Sequence, residues 1–259
     1  LSGWKLIFLC SALVAIGFAF FWLFAYRRLE KEMDAAPAEK AAETVMPSSD
    51  AAAISGKAFT APVCLMLAIV MLAIIMQGML RDGITTWMPS YISDTFDLGS
   101  AVSILTGVIL PVFAILSIYA VALVNRKLIQ NELLCAGAFF AVGLGSMIAL
   151  YYTTSVVSVS VLAFALGSAC MHGVNTMLIS MLPKYFQYTG KISLVSGVLN
   201  ACTYVGSALS TYGIAVVTDH FGWSRTVLIW ILAALIGTVL CLAATGSWKR
   251  FKNQVPDRL

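Results

Sequence analysis

Seven long apolar runs dominate this chain, and they leave few folds open to it. They fall at 4–25, 60–92, 101–124, 133–151, 156–182, 192–218 and 224–246. A helix needs about 20 predominantly apolar residues to cross a bilayer, and every run reaches or nearly reaches that length. Lipid offers backbone N–H and C=O groups no partner but one another, so runs of this kind must be helical. The pattern predicts an all-α membrane protein with seven transmembrane helices. Charge agrees: only 11% of the residues are charged, against about 25% in soluble domains, which excludes an ordinary water-soluble enzyme. A hydrophobic share of 60% excludes intrinsic disorder.

The basic residues set the topology. Arg27, Arg28, Lys31, Lys40 and Lys57 lie between runs one and two. Arg126 and Lys127 follow run three, Lys184 and Lys191 follow run five, and Lys249, Arg250, Lys252 and Arg258 close the chain. All thirteen fall on one side, which the positive-inside rule makes cytoplasmic. The opposite side has Lys5 and Arg225. The chain therefore starts outside and ends in the cytoplasm, as an integral multi-pass protein of the plasma (inner) membrane. Run one is too long and bulky for a signal peptide, lacks a small-residue cleavage site, and meets a stop-transfer flank at Tyr26-Arg27-Arg28. The basic residues form no stripe on a folded surface, so nucleic acid is not an expected partner. The six cysteines all lie in apolar runs without metal-ligand spacing, and read as small core residues, not as a disulfide or zinc framework.

An odd count of runs and a first residue Leu1 in place of Met lead us to expect a piece of a longer chain. Gly3-Trp4-Lys5 opens the first run and Gly222-Trp223-Ser224 opens the seventh. Interfacial anchoring by Trp accounts for such a pair in unrelated proteins. The alternative is that runs one and seven occupy matching places in the two halves of a duplicated transporter. Residues 1–25 are then the last helix of the N-terminal half, with the rest of that half absent. Residues 26–59 are a solvated cytoplasmic linker, partly helical near Leu29–Asp34. Residues 60–246 are a complete six-helix C-terminal bundle, and 247–259 a cytoplasmic tail.

One basic residue is not explained by topology. Arg81 sits inside run two, with Ile84, Trp87, Met88, Tyr91 and Ile92 continuing at helical spacing beyond it. The helix is expected to run on, with bends available at Gly83 and Pro89, which leaves Arg81 in the membrane. Gln77, Arg81 and Thr85 are four apart and share a face, with Gly78 beside them. A charge at this depth faces a water-filled cavity or a partner. Arg81 is then either a bidentate donor fork for a phosphate or carboxylate, or half of a salt bridge to an acid elsewhere, or a snorkelling side chain. Asp82 points about 100° away on an ideal helix, and pairs with a neighbouring helix or carries a proton. In run five, Ser168, His172, Asn175 and Thr176 share a broad face; His172 binds substrate, shuttles a proton, or bonds a neighbouring helix. In run six, Ser196, Asn200, Thr203, Ser207 and Thr211 form a polar stripe beside Tyr204 that suits interhelical packing. Asn200 and Tyr204 are further site candidates. Pro111 marks a kink in run three, and His220 belongs to a solvated turn.

Arg81-Asp82-Gly83-Ile84 followed by Trp87-Met88-Pro89-Ser90-Tyr91 resembles the seventh helix of the organophosphate:phosphate antiporters, the glycerol phosphate and hexose phosphate transporters of the major facilitator superfamily. Leu182-Pro183-Lys184, Ser196-Gly197, Tyr204-Val205-Gly206 and Asp219-His220-Phe221-Gly222-Trp223 agree more loosely. The resemblance spans essentially the whole chain, as the last helix of one half and all of the other in a 12-helix fold. It implies that Arg81 holds the substrate phosphate, and that a companion arginine lies in the missing half. Asp82 departs from the family pattern, and so does Asn125-Arg126-Lys127-Leu128, where the usual Asp and Gly of the basic turn are absent.

These readings point to a secondary active transporter that moves a small anionic, phosphorylated metabolite by alternating access, in exchange for inorganic phosphate. A membrane sensor of sugar phosphate on the same fold is the alternative, separable because it binds without flux. An enzyme is not expected: the spans hold no paired catalytic acids, no HExxH-like motif and no nucleotide-binding glycine loop, and no cofactor or metal is implied. The expected partners are the anionic substrate, inorganic phosphate, the lipid bilayer and the missing N-terminal half.

Overall fold

The computed structural model describes residues 3–34, 59–153 and 156–253, all of them helical or in short connections. The chain divides into two units, Leu1–Ser48 and Ser49–Leu259. The first unit holds α1 (Gly3–Asp34). Its Leu13, Phe18 and Trp22 are more than half exposed, the all-round apolar surface of a helix that lives in lipid. It continues through Asp34, as the expectation of helix at Leu29–Asp34 required. Linker positions 35–58 and the tail from 254 onward lie outside the described residues.

The second unit is a bundle of α2 (Ala61–Phe96), α3 (Ser100–Thr106), α4 (Ile109–Val124), α5 (Glu132–Tyr152), α6 (Val157–Asn175) and α7 (Ile192–Lys252). Six helical stretches among the described residues, α1 included, are long and apolar enough to cross a membrane. At about 1.5 Å rise per residue, the 61 residues of α7 are far too long for one straight crossing. Gly222 divides them, with φ 73° and ψ 176°, a conformation open almost only to glycine. Across this break Thr218 and Thr226 hydroxyls bond at 2.9 Å. Ser210 and Ile214 from one arm, and Trp230 from the other, meet at Gly83. The arms are therefore an antiparallel hairpin, and with α7 read as two arms each of the seven apolar runs is helical among the described residues.

The helix ends alternate between two sides. At the basic end, Phe59 stacks on Phe186 and Phe186 on Phe251, while Lys252 reaches Gln130 and Glu132. At the other end Trp223 donates to Asp94 at 3.0 Å and packs edge-on against Tyr91. Lipid tails are as apolar as leucine, so helices associate in a membrane mainly by close packing at small residues. A Cβ on Gly78 would strike the carbonyl of Thr203, and one on Gly206 would strike the Ile75 carbonyl and the Met79 amide. Here the backbones of α2 and the first arm of α7 touch. Tyr91, Phe164 and Trp230 then form an edge-to-face chain joining α2, α6 and the second arm.

The kink in run three falls between α3 and α4, at Gly107 and Val108. Pro111 explains it, since its ring clashes with the carbonyl four residues earlier and it has no N–H to donate there. By contrast α2 stays helical through Gly83 and Pro89. Run five widens and then narrows near its end: α6 passes into a widened turn over Thr176–Met181 and a tight one over Leu182–Thr189. Cys135, Cys170, Cys202 and Cys241 are buried core residues, but Cys10 and Cys64 are exposed, so the core reading fails for those two: an apolar run does not say which of its faces packs.

Candidate functional site

The tight crossing of α2 and α7 fixes the site. Asp82 lies one turn beyond Gly78, and Ser207 follows Gly206, so the close approach of Gly78 to Thr203 and of Gly206 to Ile75 and Met79 carries Ser207 onto Asp82. The Ser207 hydroxyl donates to Asp82 Oδ2. On the other flank α6 runs antiparallel to α2, as Tyr91 against Phe164 and Gln77 against Met171 require. Gln77 is fully buried and its Nε2 donates to the Met171 carbonyl at 3.2 Å. Its Oε1, the Thr203 hydroxyl and the Ser168 hydroxyl are buried without a hydrogen-bond partner.

Arg81 lies at the meeting point of the three helices. Its side chain is 19% exposed and that of Asp82 30%. Arg81 Nε donates to Asp82 Oδ1 at 2.7 Å and Nη2 donates to Oδ2 at 3.1 Å, a bidentate pair between sequence neighbours. The third nitrogen, Nη1, reaches Asn175 Oδ1 on α6 at 3.4 Å. The guanidinium thereby links α2 to α6. His172 lies within electrostatic range of both Arg81 and Asp82. The acid that could neutralise Arg81 is thus the next residue. The ideal-helix angle between the two Cβ vectors does not keep them apart, because the long Arg81 side chain curls back over Asp82.

Of the residues expected at a site, Gln77, Arg81, Asp82, His172 and Asn175 come together. Thr85 is exposed and donates to its own helix, at the Arg81 carbonyl. Asn200 and Tyr204 are exposed on the first arm of α7, and Tyr204 is 64% accessible. Ser207, read from the sequence only as a packing residue, is the direct partner of Asp82. Its signal was present: it stands one turn after Thr203 and next to a glycine on a polar stripe.

The cluster can hold an oxyanion. Arginine offers five N–H donors in a planar fork, and Asp82 already demonstrates the geometry by occupying two of them with carboxylate oxygens. Ser207 and Asn175 add a hydroxyl and an amide at its edges.

A family model described as the Major Facilitator Superfamily matches residues 1–211. The chain belongs to the Major Facilitator Superfamily. It is an all-α, multi-pass membrane transporter of that superfamily. No curated protein matches the sequence. The matched stretch takes in α1 through most of the first arm of α7, and so every residue of the Arg81 cluster. The second arm lies beyond it and is tied to the facilitator bundle by Trp230 against Phe164 and Trp223 against Tyr91.

A second polar cluster, missed in the sequence, sits at the basic end of the facilitator bundle. Glu132 is 4% exposed at the start of α5. Tyr185 and Trp248 donate to its two oxygens at 2.7 Å each, and Lys252 lies 3.3 Å away. Lys252 also stands over the Tyr185 ring at 4.9 Å. This staple binds α5, the tight turn after α6 and the end of α7. The hint was an acid directly after Asn131, whose side chain caps α5 by accepting from the Leu134 amide.

Proposed function

We propose that this protein moves a small anionic, phosphorylated metabolite across the membrane by alternating access, with Arg81 holding the anion. In this reading α1 closes one six-helix half and residues 60–246 form the other. The matched Gly-Trp openings of α1 and of the second arm of α7 support this division. The single observation that carries the substrate class is the bidentate carboxylate on Arg81. A planar oxyanion already fits the fork, and phosphate presents a similar pair of oxygens to it.

Asp82 gives the site a resident counter-charge. An incoming anion competes with it for Nε and Nη2, and Ser207 stands ready to keep the released carboxylate hydrogen-bonded. Exchange for inorganic phosphate is the coupling implied by the resemblance to organophosphate antiporters. Asp82 bears on that coupling, because an empty carrier whose Arg81 rests on Asp82 has no bare charge to strand in a dry pocket.

The test is flux in vesicles containing the purified full chain, loaded with or without phosphate, with labelled phosphate or a phosphate ester outside. Uptake that needs internal phosphate supports exchange. Uptake without it supports net transport eased by Asp82. Binding with no flux under either condition would move the reading to a sensor, and neither binding nor flux of any phosphate ester or organic anion would refute it.

A further inference from the structure

A cavity of about 800 Å³ opens at the basic end, between the start of α5 and the end of α7. Lys249 and Lys252 stand at its mouth with the amides of Asn131 and Asn253, while Ile129 and Leu134 supply apolar wall. Among the described residues no acidic side chain lines it. Lys252 reaches the Gln130 carbonyl, Glu132 and the face of Tyr185, so the cation left for the cavity is Lys249. Lys249, one turn away on the same helix face, is exposed and makes no ion pair among the described residues. Glu132 already balances Lys252, which leaves the charge of Lys249 for an anion.

The wall chemistry narrows the anion. Away from the lysines, the surface of α5 and the second arm of α7 turns apolar, with Leu134 and Leu242 exposed. Gly137 lets Leu242 pack closely on α5 there. A free phosphate would use Lys249 and leave the apolar wall idle. A phospholipid uses both, with its phosphate on Lys249 and its acyl chains along Leu134 and Leu242. The positive-inside rule also sets this end against the anionic leaflet.

We infer that the cavity between α5 and α7 binds the headgroup of an anionic phospholipid, held by Lys249. The lipid phosphate then braces the same helix ends that Glu132 staples. This site lies apart from Arg81 and stands or falls independently of the substrate.

The full chain in phosphatidylcholine nanodiscs, with and without phosphatidylglycerol, tests it by native mass spectrometry and by thermal unfolding. Phosphatidylglycerol is expected to stay bound through delipidation and to raise the unfolding midpoint. Lys249→Gln should lower its retention about fivefold, the usual worth of one basic residue near an anionic surface, and Lys249→Arg should restore it. Lys127→Gln, at the same end but outside the cavity, should leave retention unchanged. Equal losses for Lys127→Gln and Lys249→Gln would reduce the effect to general surface charge and overturn the site. So would unchanged retention in Lys249→Gln. Millimolar inorganic phosphate that stabilises the lipid-free protein as well as phosphatidylglycerol does would assign the cavity to a small anion instead.

Discussion

Replacing Asp82 by Asn keeps the side-chain shape and removes the charge that occupies Arg81. The carboxylate makes two charge-assisted contacts, Nε to Oδ1 at 2.7 Å and Nη2 to Oδ2 at 3.1 Å. A hydrogen bond to a charged group contributes about 1.5–3 kcal/mol. Both side chains are partly exposed, and exposure weakens such pairs, so we assign about 1.5–3 kcal/mol to the two contacts together. The amide introduced by Asp82→Asn would offer Arg81 only one neutral acceptor. An external anion then no longer displaces a carboxylate, and its affinity should rise by that amount, about ten- to a hundredfold. Isothermal titration of the purified full chain with phosphate and a phosphate ester reads this directly. Ser207→Ala removes the group that would hold the displaced Asp82, so it should weaken anion binding in the native background and have little effect in Asp82→Asn. Unchanged or weaker binding in a folded Asp82→Asn protein would refute the competition between Asp82 and substrate.

Other parts of the structure make separate predictions. Gly206→Ala places a methyl group against the Ile75 carbonyl and 2.7 Å from the Met79 amide; it should cost about 1–3 kcal/mol, seen as a lowered unfolding midpoint, whereas Gly17→Ala meets nothing within 4 Å and should not destabilise. Gly222→Ala forces a side chain into a glycine-only backbone region at φ 73° and should cost about 1–3 kcal/mol, with raised proteolysis near the hairpin turn. Glu132→Gln strips the charge that two donors and Lys252 share; a loss of about 1–3 kcal/mol is expected, partly recovered by Lys252→Met, which removes the unpaired cation.

The membrane crossings were legible because their cause is local. Each run carries its own hydropathy, and the basic flanks and Gly222-Trp223 punctuate them. Arg81 stood out for the same reason, as a charge where lipid tolerates none. Its partner was harder to read. An ideal helix turns Asp82 away from Arg81, and only the reach of a long side chain, together with Ser207 from another helix, brings the pair together. Glu132 was invisible as a site residue because Tyr185, Trp248 and Lys252 are far from it in sequence and meet it only when the helix ends converge. Asn200 and Tyr204 stand exposed on the first arm of α7, because a polar stripe at helical spacing does not say which of its edges faces the bundle interior, and Thr203 took that place.

The most direct measurement is anion uptake by vesicles carrying the full chain with Arg81→Lys and Arg81→Gln. Arg81→Lys keeps the charge and loses the fork. Phosphate-ester uptake should fall about tenfold or more in Arg81→Lys, the worth of one lost charge-assisted contact, and be lost in Arg81→Gln, with both proteins unfolding near the native temperature. Native uptake and native affinity in both variants would contradict the assignment of Arg81 as the residue that holds the anion.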